Sequence, residues 1–223
     1  MEEKLFCDVF EKPFPHLIAH NFYNDEELEL IWEELKFYTK PGKFFTPREF
    51  GGIPESTTHG AIQLEGIYRD DSNIPNGLNY RPISNILTVN RKVFNSGVLD
   101  EFAKTHESCS IAPKCDHDIT KVRYYHDGEA YDPHTDSSFQ FLAFSYFYKE
   151  PRKFTGGELF FPRHNYELTC ENNSTIIFPG WVTHGVKEVK IEDSAYYDGW
   201  GRYAITNFFT NENLKTINES DTI

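Results

Sequence analysis

Ile176-Ile-Phe-Pro-Gly-Trp-Val-Thr-His184-Gly-Val186 opens on a β-branched and aromatic run, breaks at Pro-Gly and resumes with Val, Thr and His. Residue types in that order describe two short strands joined by a turn. The same pattern extends outward. Upstream lie Thr120–Tyr125, the neighbourhood of His134–Asp136, Phe139–Tyr148, Glu158–Phe161 and Tyr166–Glu171; the stretch itself belongs to strands over Thr175–Phe178 and Val182–Ile191; downstream lies Arg202–Phe209. Eight short strands with turn residues between them, and no long helical pattern among them, predict a sandwich or jelly roll.

The first half reads differently. Pro13–Asn21 contains a short strand, and Asn24 stands three residues before Glu27 ahead of Leu28, Leu30, Ile31 and Leu35. That is a capping box opening an amphipathic helix to about Phe37. Residues 41–81 are rich in Gly, Pro, Asn and Ser and read as loops. Further helices are expected over Ile83–Phe94 and Val98–Thr105. The chain is expected to be one domain, 1–223: helical and loop support with a lid over 1–117, a jelly-roll core over 118–211, and a polar tail over 212–223.

Composition narrows the function classes. With 20 Phe and 13 Tyr among 223 residues, material for one sizeable core is present. Lys and Arg number 22 against 35 Asp and Glu, a formal charge of −13 that repels a phosphate backbone, so nucleic acid is a disfavoured partner. Cys7, Cys109, Cys115 and Cys170 form no C-x-x-C pair and are expected to be reduced thiols. The opening Met1-Glu-Glu-Lys-Leu-Phe-Cys7 lacks a basic region and an apolar run, and no stretch approaches membrane-spanning length. A soluble cytoplasmic protein with no membrane partner is expected.

His134-Thr-Asp136 carries the chemistry. In a strand, side chains two residues apart project from one face, so this imidazole and carboxylate can reach one ion. His184, about fifty residues on, can be delivered by a neighbouring strand of a rolled sheet. Two His and one carboxylate leave open coordination positions, which suits non-haem Fe(II) rather than a closed structural zinc site. His126-Asp127 and Asp116-His117-Asp118 also look like ligand clusters, but adjacent strand residues face opposite ways, so turn and surface roles are expected for them.

Four motifs in order resemble the 2-oxoglutarate/Fe(II) dioxygenase superfamily, particularly its prolyl-4-hydroxylase-like branch, over roughly residues 119–210. They are the run Val122–Asp136 with its Tyr-x-x-Gly and H-x-D, Thr155-Gly-Gly-Glu-Leu-Phe-Phe161, Ile176–His184, and Gly201-Arg202-Tyr-Ala-Ile-Thr206-Asn-Phe-Phe209. The resemblance implies a mainly β fold with flanking helices (α+β): a double-stranded β-helix (jelly-roll) core supported by N-terminal helices. It implies Fe(II) on His134, Asp136 and His184, with 2-oxoglutarate and O2 as co-substrates and ascorbate as an optional reductant. It places Arg202 on the distal carboxylate of 2-oxoglutarate, where a guanidinium fork binds bidentately. Thr206, on the same strand face, can add a hydroxyl, and Tyr124, Tyr131 or Tyr146 a phenol. In one departure from the family pattern, Glu192–Gly201 looks like a turn insertion between His184 and Arg202. Were Arg202 not the partner, Lys187 or Lys190 would be the candidates.

The reaction implied is hydroxylation of a C–H bond, with a prolyl residue in a peptide or protein as leading substrate. The alternatives are the same chemistry on a free amino acid, another small molecule or a nucleic-acid base, or a non-catalytic β-roll binding module. A nucleic-acid demethylase of the alkylation-repair type would carry a second Arg soon after Arg202, and none follows. The loops of 41–75, with Phe44-Phe45 and Gly51-Gly52, and the insertion with Tyr196, Tyr197 and Trp200, are candidates for the cavity rim and for substrate selection.

Overall fold

The computed structural model describes residues 6–43, 60–63, 84–115 and 117–211. Strands β1 (Cys7–Phe10) and β2 (His16–Ala19) precede helix α1 (Asp25–Tyr38); β3 (Gly60–Gln63) precedes three short helices, α2 (Asn85–Val89), α3 (Lys92–Asn95) and α4 (Val98–Ala103). The β-rich part holds β4 (His117–Tyr125), β5 (Tyr131–His134), β6 (Phe141–Phe147), β7 (Phe154–Gly156), β8 (Leu159–Phe161), β9 (Tyr166–Leu168), β10 (Ser174–Pro179), β11 (His184–Val186), β12 (Val189–Ile191) and β13 (Arg202–Thr210).

The strands form a seven-stranded sheet, β1-β2-β10-β6-β13-β4-β3, a four-stranded sheet, β5-β11-β8-β9, and the ladder β12-β7, with antiparallel pairing throughout. This is the expected jelly roll with helical support. Both faces of the large sheet are covered, which explains why every residue of β6 and β13 is buried. Along β6, Phe141, Ala143 and Phe147 face a core shared with the helices, whereas Leu142, Phe144 and Tyr146 face the interior between the sheets. On β13, Tyr203, Ile205 and Phe209 face the helices, and Ala204 and Phe208 the interior.

Helix α1 begins at Asn24 with the capping box in place: Asn24 Oδ1 accepts from Glu27 N–H at 2.9 Å, and Glu27 Oε2 accepts from Asn24 N–H at 2.8 Å. The helix expected over Ile83–Phe94 is two short helices, α2 capped by the Ser84 hydroxyl and α3 starting after a turn at Asn90–Arg91. The single strand expected over Val182–Ile191 is also two, because β11 pairs with β5 and β8 whereas β12 pairs with β7. Most of the 41–75 loops lie outside the described residues, as does the 212–223 tail. No helix among the described residues is long and apolar enough to cross a membrane.

Candidate metal and co-substrate site

The two imidazoles owe their meeting to strand pairing, since His184 on β11 stands directly opposite His134 on β5. Their ring centroids are 4.5 Å apart. Asp136 sits just past the end of β5, where its N–H donates to Gly180 O at 2.9 Å and its carbonyl accepts from Phe139 N–H at 2.9 Å. A Cβ on Gly180 would stand 2.7 Å from Asp136 O and 2.3 Å from Phe139 O, so the Pro-Gly break lets the chain carrying Asp136 approach β10. Asp136 Oδ2 then lies 3.5 Å from His184 Nε2 and 3.7 Å from His134 Nε2. The ligand atoms of all three residues fall within 4.8 Å of one another.

Backbone carbonyls set the tautomers. His134 Nδ1 donates to Asp132 O at 2.8 Å and His184 Nδ1 to Val182 O at 3.0 Å, which leaves each Nε2 as an inward lone pair. His184 Nε2 and Asp136 Oδ2 are buried without a hydrogen-bond partner. Unsatisfied buried acceptors that converge are what a divalent cation requires, and the set is open on one side. Burial lowers the pKa of His184 and so favours the neutral, ligating imidazole. Burial works to raise the Asp136 carboxyl, but the two imidazoles beside it, when they carry a proton on Nε2, outweigh that and hold it below the usual carboxylate range; a metal ion would take the place of those protons.

A narrow pocket opens beside these ligands. At its wall, Arg202 is buried with 1% exposure. Its guanidinium lies 4.9 Å from the Tyr125 ring and 4.7 Å from the Tyr146 ring, and its Nη2 donates to Cys170 Sγ at 3.4 Å. Nε and Nη1 of Arg202 and the Tyr146 hydroxyl are buried without a partner. Burial alone would lower the Arg202 pKa, but the surrounding thiol and phenols hold it high, so the cation persists. An unpaired buried guanidinium with idle donors is costly and fits an incoming carboxylate. Gly157 explains the Gly-Gly motif: at φ +74°, a Cβ there would stand 2.8 Å from Arg202 Cδ, so only glycine leaves the arginine its path.

The structure brings His134, His184, Tyr131, Arg202 and Thr206 to one cavity lining, with Asp136 among the ligand atoms and Tyr146 against Arg202. Tyr124 is not among the lining residues. Its hydroxyl donates to Tyr196 O at 3.0 Å and its ring belongs to the helix-side core, while Tyr125, one residue on and facing the other way, lines the cavity. The insertion follows Tyr124: Tyr196 packs on Tyr124 and His126, and Trp200 lies under Lys149 and Lys153, all apart from the cavity lining. Lys187 is engaged by Glu167 at 2.6 Å and Lys190 is exposed, so neither approaches Arg202's place. His126 and Asp118, expected at the surface, are buried; Asp118 Oδ2 accepts from Thr120 and Asn207 at 3.0 Å each. Sequence reasoning missed Arg123, a second buried guanidinium in the lining, whose Nη1 donates to Thr206 Oγ1 at 2.7 Å. Its signal was parity with Tyr125 on β4.

Residues 120–210 match the model of the 2OG-Fe(II) oxygenase superfamily. No match of significance emerges among curated proteins. Among solved structures, a prolyl hydroxylase from Trichoplax adhaerens in complex with a hypoxia-inducible-factor peptide is similar at TM-score 0.58 and 13% identity, over 91% of this chain and 86% of that one. An oxidoreductase of the 2OG-Fe(II) oxygenase family from Burkholderia pseudomallei gives 0.53 and 14%, over 88% and 85%. A Pseudomonas putida prolyl-4-hydroxylase gives 0.51 and 12%, over 87% and 91%. At these identities the likeness is one of fold.

Proposed function

We propose that the chain is a 2OG-Fe(II) oxygenase, the superfamily whose model residues 120–210 match, and that it hydroxylates a C–H bond of a prolyl residue in a peptide or protein. The observation that carries the proposal is the pairing of two incomplete sites in one cavity: three converging candidate metal ligands and a buried guanidinium with two idle donors.

His134, Asp136 and His184 would hold Fe(II), and Arg202 with the Tyr146 hydroxyl would take the distal carboxylate of 2-oxoglutarate. When bound there, iron supplies the coupling of 2-oxoglutarate oxidation to succinate and CO2 with transfer of an oxygen atom from O2 to substrate. The chain's own residues supply geometry. Asp132 and Val182 carbonyls fix the imidazole orientations, and Gly180 sets the approach of Asp136. Phe144, Val186 and Ala204 give the cavity apolar walls that exclude water.

Anaerobic loading with Fe(II), addition of 2-oxoglutarate and admission of O2 should release succinate. His134→Ala and Asp136→Ala should abolish that release. Succinate formation that survives both substitutions would defeat the proposal, and a folded protein that binds neither iron nor 2-oxoglutarate would favour a β-roll binding module instead.

A further inference from the structure

The cavity holds more positive charge than its proposed contents need. With neutral imidazoles, Fe(II) and the Arg202 guanidinium together balance the Asp136 carboxylate and doubly ionised 2-oxoglutarate. Arg123 and Lys121 are left over. Both stand on β4 at alternate positions leading to Tyr125, hence on one face of the strand; Arg123 lines the cavity and Lys121 comes next along that face. Arg123 is 6% exposed, its guanidinium 5.6 Å from the rings of both Tyr131 and Phe208. The Lys121 ammonium lies 4.9 Å from the Phe208 ring.

Neither cation has a carboxylate partner among the described residues. Arg123 gives one N–H to the neutral Thr206 hydroxyl, and Lys121 makes no ion pair. Elsewhere the chain pairs its cations readily, as in Lys92 with Glu27 and Lys104 with Glu101. Burial lowers the Lys121 pKa to about 8, with Arg123 pushing the same way and Asp136 opposing, so the group still carries most of its charge at neutral pH. In a chain of net charge −13, two desolvated cations side by side cost stability unless an anion arrives to meet them.

We propose that the substrate carries a carboxylate close to the carbon that is hydroxylated, and that Arg123 and Lys121 recognise it. This rests on the oxygenase reading and adds a substrate class to it. An Asp or Glu flanking the target residue in a peptide and the α-carboxylate of a free amino acid offer the same chemistry; the test separates them.

Two pools of short proline-containing peptides, identical except that Asp and Glu in one are Asn and Gln in the other, are titrated against the full chain loaded with Mn(II) and 2-oxoglutarate. Free amino acids form a third set. Binding is read by calorimetry, and hydroxylation of binders is then read by mass under Fe(II). The acidic pool is expected to bind about tenfold or more tightly than the amide pool, the worth of one charge-assisted hydrogen bond. Binding of free amino acids instead assigns the carboxylate to the α-carbon. Arg123→Gln and Lys121→Gln should each reduce the preference and together erase it, while Arg123→Lys retains most of it. The preference is a ratio within each variant, so a general loss of iron or stability does not mimic its disappearance. Wild-type binding that does not distinguish the pools, the absence of binding by every carboxylate probe, or an unchanged ratio in the double variant overturns the proposal. Substrate-free release of succinate by the wild type tests the oxygenase reading on its own. Its absence sinks that reading, whereas its presence without charge preference sinks only the present one.

Discussion

The ring of Tyr131 lies over the imidazole of His134, with centroids 4.1 Å apart and planes 25° from parallel. His134 is the more exposed of the two histidine ligands, with a fifth of its side chain open to solvent against 1% for His184. The stack covers one face of the more open ring and holds its orientation. Tyr131→Ala should weaken Mn(II) or Co(II) binding by about fivefold, the worth of an aromatic contact of about 1 kcal/mol. Tyr131→Phe should retain most of the affinity, and equal losses in the two variants would show that the hydroxyl rather than the ring matters.

Arg202 invites a test in which stability and function move apart. Arg202→Met removes a buried cation that has idle donors, so thermal stability without ligand should hold or rise. The stabilisation that 2-oxoglutarate confers on the Mn(II)-loaded protein should vanish, because the distal carboxylate loses its partner. Gly157→Ala should weaken the same ligand response more than tenfold by crowding Arg202 Cδ. A ligand-induced shift that persists in Arg202→Met would move the co-substrate anchor elsewhere in the cavity.

Burial raises the Glu129 carboxyl from an ordinary 4.5 to about 7, and the hydrogen bond from His126 N–H offsets only part of that. The folded pKa lies above the unfolded one, so this group's favourable contribution is complete below pH 4.5 and is lost as pH rises through about 7. Glu129→Gln keeps an acceptor for His126 and removes the titration. Denaturant unfolding should show the substituted protein gaining on the wild type between pH 5 and pH 8. Parallel stability profiles across that range would count against it.

Glu34 ties helix α1 to helix α2. Its carboxylate accepts from the Ser84 hydroxyl at 2.8 and 3.0 Å, from Ile86 N–H at 2.8 Å and from the Tyr38 hydroxyl at 2.5 Å. Glu34→Ala strips the first turn of α2 of one acceptor and should cost about 2 kcal/mol, or a fall in Tm of about 4–8 °C. A change within 1 °C in calorimetry would mean that water replaces the carboxylate without penalty.

Local chemistry made part of this architecture readable. Asn24 and Glu27 announce the start of α1 because their side chains answer each other's backbone N–H groups. The H-x-D spacing and the distant His184 pointed to three side chains that the structure brings together as candidate ligands, because open coordination demands few residue types. Parity was harder to read. Tyr124 and Tyr125 are both aromatic and β4 is buried on both faces, so no polar alternation marks which phenol faces the interior. Arg123 hid for the same reason, as a cation inside an apolar run whose orientation only pairing with β13 fixes. The division of Val182–Ile191 into β11 and β12 depends on which sheet each half joins, a long-range choice that local propensity does not encode.

Strand β5 is the last of its sheet and, among the described residues, pairs with β11 alone, and the His134–His184 step is where the two meet before the register slips. An ion held by both rings and by Asp136, as proposed, would rivet the rim of the roll as well as serve its chemistry. Iron starvation would accordingly slacken the mouth of the barrel at the same moment that it silences the chemistry.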